Sequence, residues 1–417
     1  PQIHESRRFS YTRCAGGAFR MLWGYTKKMV LADNMNLYIK MVYDTPAEMN
    51  GPNLVAATLL FSLRLYLDFS GCCDIAIGAA RILGYDLLEN FHSPFEATSF
   101  AELWQRWHMS LTGWLRDYIY IPLGGSRCNV VRHMLNTLIV FAVSGLWHGA
   151  DLRYLEWGIA CGVISVIAQL SKVPRKVLWR YNPLYREPAV QTFLQRCITY
   201  LLFSFTMVFF ASAIYNAAPG EVFAGILQGW QGGFAAGWES VTNLVTSSGI
   251  DGRLPVVLTC GTAIVLAMEH NGNNVARWIR KQCFVLRWTV YYAAAVSILF
   301  FAAFGQSAFI YQQFLRGREI NYANTDPCFR PARHPKGQPQ CCCRPGPQAH
   351  HKAKKIRSLT AQTPQKAKYL RSLFAWFGPP VILWQQNVVQ VCPVHSHSGF
   401  HGLVQLYGRP QWPVPGW

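Results

Sequence analysis

His108 and His148 are the side chains of this chain best placed, by type and setting, to do chemistry. Imidazole has an unperturbed pKa near 6.5, so it can accept and release a proton at neutral pH. His148 stands in Trp147-His148-Gly149, near the end of a run from Met134 to Ala150 that holds no Lys, Arg, Asp or Glu. In lipid, a polar side chain in such a run must be hydrogen-bonded or face a water-filled cavity. On position alone two readings stand: a histidine bonded to a neighbouring helix, or a base in a membrane cavity. His108 lies in an amphipathic segment with Trp104, Trp107 and Trp114. There it is either an interface anchor, or a group that orients a neighbour, or a second reacting group.

The elements that must position these histidines are long apolar stretches. Of the 417 residues 51% are hydrophobic and only 14% charged, against roughly 25% charged in an average soluble domain. Uncharged runs separated by short basic ones suit about 20 residues crossing some 30 Å of hydrocarbon. The clearest are Cys197 to Gly220 and Trp288 to Leu315. Met134 to Ala150, Tyr154 to Ser171 and Leu254 to Met268 are shorter candidates, and Leu54 to Tyr85 is apolar but carries Arg64, Asp68, Asp74 and Arg81. Backbone groups in lipid must be satisfied internally, so these runs are expected to be helices. The fold class expected is an all-α polytopic membrane protein.

Lys and Arg stay on the cytoplasmic side, which orients the chain. Lys172, Arg175, Lys176, Arg180 and Arg186 mark one inner loop, and Arg277, Arg280, Lys281 and Arg287 another. Residues 221–252 hold no Lys or Arg and are expected outside. Arg127 and Arg132 then fall inside, His148 toward the outer end of its helix, and His108 nearer the cytoplasm. Excess positive charge in the body is read as loop charge rather than a nucleic-acid surface.

The chain opens at Pro1 without an initiator Met, so further membrane helices are expected upstream. From Thr325 on it holds twelve Lys and Arg against one acid, Asp326, with thirteen of the twenty-three Pro. Such composition does not readily bury a core, so the expected organisation is a membrane domain over 1–320 and a disordered tail over 321–417. Cys341, Cys342 and Cys343 with His350 and His351 lack the spacing that lets two thiolates share one zinc, and no metal site is expected. Cys14, Cys72, Cys73, Cys128, Cys161, Cys197, Cys260 and Cys283 show no paired spacing and are read as small hydrophobes.

Between Tyr66 and Gly149 several motifs follow in order. Phe69, Ser70, Gly71, Asp74, Ala76, Ile77 and Gly78 form F-S-G-x-x-D-x-A-I-G, and Glu89, Asn90 and Phe91 form E-N-F. Arg106, Trp107, His108, Ser110, Leu111, Trp114, Leu115, Arg116, Asp117 and Tyr118 form R-W-H-x-S-L-x-x-W-L-R-D-Y, followed by Ile121 to Gly125 and then Trp147, His148 and Gly149. Upstream, Gly24, Lys27, Lys28, Ala32 and Asp33 form G-x-x-K-K-x-x-x-A-D; near the other end stand Phe304, Gly305, Gln306, Phe309, Ile310 and Tyr311. Together these resemble the membrane-bound O-acyltransferase (MBOAT) family, in its alginate O-acetyltransferase and D-alanyl-transfer branch, over roughly residues 10–315. Cys72 and Cys73 depart from the Tyr and Ser usual there, in positions expected to touch no residue assigned to chemistry, and Gln105 replaces a common Arg.

The resemblance implies a multi-helix bundle with re-entrant segments around a central tunnel. It makes His148 the catalytic base, with His108 as a second catalytic residue on the donor side of that tunnel. An O-acyltransferase must remove a proton from an acceptor hydroxyl and stabilise a tetrahedral oxyanion. Trp107, Ser110, Trp114, Trp147, Gly149, Asp74 and Asn90 are expected to line or support the tunnel, and Arg106, Arg116 and Asp117 to hold the re-entrant region by ion pairs. The implied reaction is acetyl transfer toward an extracytoplasmic polysaccharide, alginate-like or other, in a bacterial plasma membrane. The donor is acetyl-CoA or a carrier-bound acyl group, no cofactor is resident, and an extracytoplasmic acetyl-transfer partner protein is implied. D-alanyl or other acyl transfer to a cell-wall polymer, a polytopic transporter and a non-catalytic scaffold are the alternatives.

Overall fold

The structure is a computed structural model, and it describes residues 2, 8–171, 187–228, 230, 233–247, 251–270 and 275–303. Among them there are helices and no strands. The basic loop 172–186, the element at 304–311 and the tail, with its candidate ligands, lie outside the described residues.

Helix α1 (Tyr11–Tyr25) runs through a wider π-type segment (Thr26–Ala32) directly into α2 (Asp33–Asp44). The long α3 (Gly51–Ile82) is started by Asn50, whose side chain accepts from the Asn53 N–H, and by a proline in its first turn. Short helices α4 (Phe100–Arg106) and α5 (Met109–Leu115) flank His108. Helices α6 (Val130–His148) and α7 (Leu152–Leu170) form a hairpin, and α8 (Pro188–Tyr215) packs on α7 and α3. Beyond come α9 (Pro219–Gln228), α10 (Gly233–Ser247), α11 (Leu254–Met268), α12 (Val275–Arg280) and α13 (Phe284–Phe301).

Four of these helices, α3, α6, α8 and α13, are long and apolar enough to cross a membrane. The protein is a multi-pass, all-α membrane protein. Three boundaries differ from expectation for identifiable reasons. Helix α8 begins at Pro188, well before Cys197, because Arg196 donates to the Glu96 carbonyl at 3.1 Å and so is accommodated inside the helix. It stops at Tyr215, where Asn216 takes a left-handed cap conformation. Arg287 likewise sits within α13 rather than in a loop, over the Phe284 ring. Residues 221–252 are largely helix: Ser240 on α10 receives hydrogen bonds from Asn50 (2.5 Å) and Asn53 (3.0 Å) at the start of α3.

Glycines decide how closely the two main helix pairs approach. A Cβ at Gly24 would lie 2.5 Å from the Gly71 carbonyl oxygen, and one at Gly17 would lie 2.6 Å from that of Gly78. Only glycine lets backbones meet this closely. In the hairpin, Gly145 sits against the Tyr154 carbonyl and Gly158 against that of Phe141, which fixes α7 behind the His148 end of α6.

Candidate active site

His148 is the last residue of α6 and is buried, at 8% exposure. Its ring meets those of Trp157 and Phe210, each at 5.1 Å between centroids and nearly edge-on. Gly149 follows because a Cβ there would come within 2.7 Å of the Tyr154 ring. The turn is fixed further by Arg153, which donates to both carboxylate oxygens of Asp151 and to the carbonyls of Ser212 (2.9 Å) and Ala217 (3.0 Å) at the end of α8. This guanidinium holds the Asp151 carboxyl below its usual range through their hydrogen bonds.

His108 lies between α4 and α5, 5% exposed and with its backbone in the left-handed region at φ 46°. Its ring packs edge-on to Phe69 at 4.7 Å. Trp147 lies beside both histidines, 5.9 Å from the His108 ring and 5.0 Å from that of His148.

The two imidazoles line one cavity of about 280 Å³. Its walls are mainly apolar, with Phe69, Trp104, Leu111, Phe141 and Met207 among them. On α6 the lining residues His133, Thr137, Val140, Phe141, Ser144 and His148 repeat every three or four positions, one helix face. At 1.5 Å rise per residue that face is roughly 22 Å long. Arg116 and Tyr120 line the cavity too, and the Tyr120 ring meets that of His133, so they mark the end away from His148. So small a volume drawn out over that length makes a narrow channel.

Of the expected supporting residues, Trp107 and Arg116 line this channel. Ser110 adjoins His108, with Oγ 3.4 Å from Nδ1. Arg106 pairs at 2.7 Å with Glu102, one turn earlier on the same helix, and donates to the His92 carbonyl. Among the described residues Arg116 and Asp117 pair with each other, as chain neighbours at 2.8 Å. Trp114 stacks on Tyr118 and is not among the channel's walls.

Asp74 belongs elsewhere. It lines a second, polar cavity of about 530 Å³, where it meets Arg20 (2.8 Å) and Lys27 (2.5 Å). Lys27 also binds Glu269 (2.8 Å), and Arg20 also binds Glu89. Trp23 and Tyr66 donate to the same Glu269 carboxylate, at 3.1 and 2.5 Å. Sequence reading missed Arg20 and Glu269. Arg20 had a signal, since it shares a helix face with Gly17, Gly24 and Lys27. Glu269 had only its place at the end of an apolar run. Asn90 forms part of this second cavity's wall while its side chain reaches Ser110 beside His108. The expectation that the cysteine pair touches no assigned residue is corrected: the Asn90 amide donates to Cys73 Sγ at 3.5 Å.

Comparison with known proteins identifies the family. Residues 5–212 match MBOAT, the membrane-bound O-acyltransferase family. The chain is 35% identical over 179 residues to a peptidoglycan O-acetyltransferase of Helicobacter pylori, covering 42% of this chain and 34% of that one. It is 34% identical over 214 residues to a probable alginate O-acetylase of Pseudomonas aeruginosa, covering 51% and 40%. To a teichoic acid D-alanyltransferase of Bacillus subtilis it is 28% identical over 175 residues, covering 39% and 43%. The chain thus spans less than half the length of these curated relatives. Through residues 5–212, which hold both histidines and the helices that position them, this chain belongs to the membrane-bound O-acyltransferase family.

Proposed function

We propose that this chain is a membrane-embedded O-acyltransferase that moves an acetyl group toward hydroxyls of an extracytoplasmic polysaccharide, in a bacterial plasma membrane. The observation that carries the reading is the pair of buried imidazoles along one narrow channel. His148 removes the proton from the acceptor hydroxyl as its oxygen attacks the acyl carbon; the new C–O bond forms, the bond between the acyl carbon and the donor's leaving group breaks, and the proton held by His148 passes to that leaving group. His108 serves the same channel on the donor side. The apolar wall excludes water, which would otherwise take the acyl group by hydrolysis. The channel's narrowness suits a thread-like donor arm, and acetyl-CoA or a carrier-bound acyl group has that form. An extracytoplasmic partner protein carries the acetyl group onward to the polymer. The relatives named for acetyl transfer to peptidoglycan and alginate support this substrate class.

The test is acyl transfer from isotope-labelled donor in proteoliposomes. His148→Ala and His148→Gln are each expected to abolish it while leaving expression and insertion intact, because a base is lost rather than packing. Activity above about a tenth of wild type in both variants would remove His148 from the chemistry.

A further inference from the structure

His108 holds a left-handed backbone, φ 46° and ψ 51°, a conformation uncommon outside glycine and one that its surroundings here support. The supporting segment is the loop around Asn90. The Asn90 carbonyl accepts from the Met109 N–H and the His92 N–H donates to the Arg106 carbonyl, both at 3.0 Å, so His108 is bracketed on either side. The Asn90 side chain then reaches Ser110: Oδ1 lies 3.3 Å from the Ser110 backbone nitrogen and 2.5 Å from its Oγ.

These contacts determine where protons sit. A backbone N–H can only donate, so the atom facing Ser110 must be the amide oxygen, and Nδ2 is turned to donate to Cys73 Sγ. A hydroxyl has one proton to give. With the amide oxygen at 2.5 Å that proton is committed to Asn90, and Ser110 Oγ presents a lone pair to His108 Nδ1 at 3.4 Å. We infer that Asn90, acting through Ser110, is a positioning residue that holds His108 as the Nδ1–H tautomer. Nε2 is thereby kept as the ring's proton acceptor. The inference deepens the acyl-transfer reading, and only its kinetic arm rests on that reading.

The experiment uses the full chain with isotope-labelled histidine in lipid nanodiscs, read by solid-state nitrogen NMR, with His108→Gln identifying the His108 signals. His108 is expected to carry its proton on Nδ1 in the wild type and in Ser110→Thr, which keeps the hydroxyl. In Ser110→Ala, which removes one oxygen and disturbs packing little, and in Asn90→Leu, the proton is expected on Nε2 or distributed between both nitrogens. Transfer measured on the same samples should fall about tenfold or more in turnover number in those two variants, with the donor KM within about twofold, as expected for lost orientation rather than lost binding. Ser110→Thr should recover most of it. Nε2–H in the wild type, or Nδ1–H undisturbed in both Ser110→Ala and Asn90→Leu, overturns the inference whatever the activity. The expected tautomer pattern in a protein that transfers no acyl group upholds the inference and removes the acyl-transfer reading instead.

Discussion

Lys27, in the π-type segment that follows α1, and Asp74, on α3, meet at 2.5 Å, each buried, with Arg20 and Glu269 joining the cluster. Breaking a buried pair leaves an uncompensated charge, whereas the intact network is satisfied. Asp74→Asn is therefore expected to destabilise the fold by about 3 kcal/mol or more, seen as loss of monodisperse protein in detergent. Lys27→Met should be similarly damaging, and the double variant clearly less so than the sum of the two. Additive losses would mean that the pair does not act as a unit.

Close approach of α1 and α3 gives a sharper steric prediction. Gly24→Val places a Cβ 2.5 Å from the Gly71 carbonyl oxygen, a backbone atom that cannot rotate away. Overpacking of this kind is expected to destabilise by about 1–3 kcal/mol or more. Gly113→Ala is the control: nothing lies within 4 Å of its Cβ position, and alanine favours helix. A thermal melt in detergent should separate the two variants clearly, and a Gly24→Val protein as stable as the Gly113→Ala one would contradict the helix spacing.

Arg153 links the His148 turn to the end of α8, and its pairing with Asp151 has a pH signature. The folded-state pKa of Asp151 is depressed, so its contribution is present above the ordinary value of 3.8 and is lost as pH falls below it. Both side chains are partly exposed, so the electrostatic share is below about 1 kcal/mol. Arg153→Gln should lower the melting temperature at pH 7, and the gap from wild type should narrow as the medium is acidified. It should not close, because the bonds to the Ser212 and Ala217 carbonyls do not titrate. A gap that widens in acid would reverse the assignment.

Membrane orientation can be checked by labelling. Ser240 is a poor probe, since it is hydrogen-bonded to the start of α3. Its exposed neighbour Glu239 is the better one, and Arg127 is exposed as well. With basic loops inside, a cysteine at Glu239 should react from outside with a membrane-impermeant thiol reagent, and one at Arg127 should not. Reaction of both from the same side would refute the topology.

Much of this was legible along the chain, because helices in lipid are written as apolar runs and the two histidines stood within spaced motifs. What was not legible was long-range pairing. Arg196 looked like a boundary because its partner, the Glu96 carbonyl, lies a hundred residues away. The resemblance made Asp74, which shares a motif with Phe69, a residue that lines or supports the tunnel, yet it lines the other cavity while Phe69 lines this one. Residues five apart on a helix point about 140° from one another, so one motif can serve two sites. Asn90 was singled out, but its bond to Ser110 depends on a loop folding back across twenty residues.

The glycine contacts between α1 and α3 have a mechanical consequence. Gly17 faces Gly78 and Gly24 faces Gly71, so the two contacts are separated by the same seven residues on both antiparallel helices, roughly 10 Å along the axis. A single contact would act as a pivot and let the helices scissor. Two of them, each backbone against backbone, fix crossing angle and register together. Arg20 and Asp74 lie in the interval between the contacts. The glycine contacts on either side hold the two main chains at the spacing across which this ion pair closes. A side chain added at any of the four glycines would therefore act on the ion pair as well, by forcing apart the main chains that carry it.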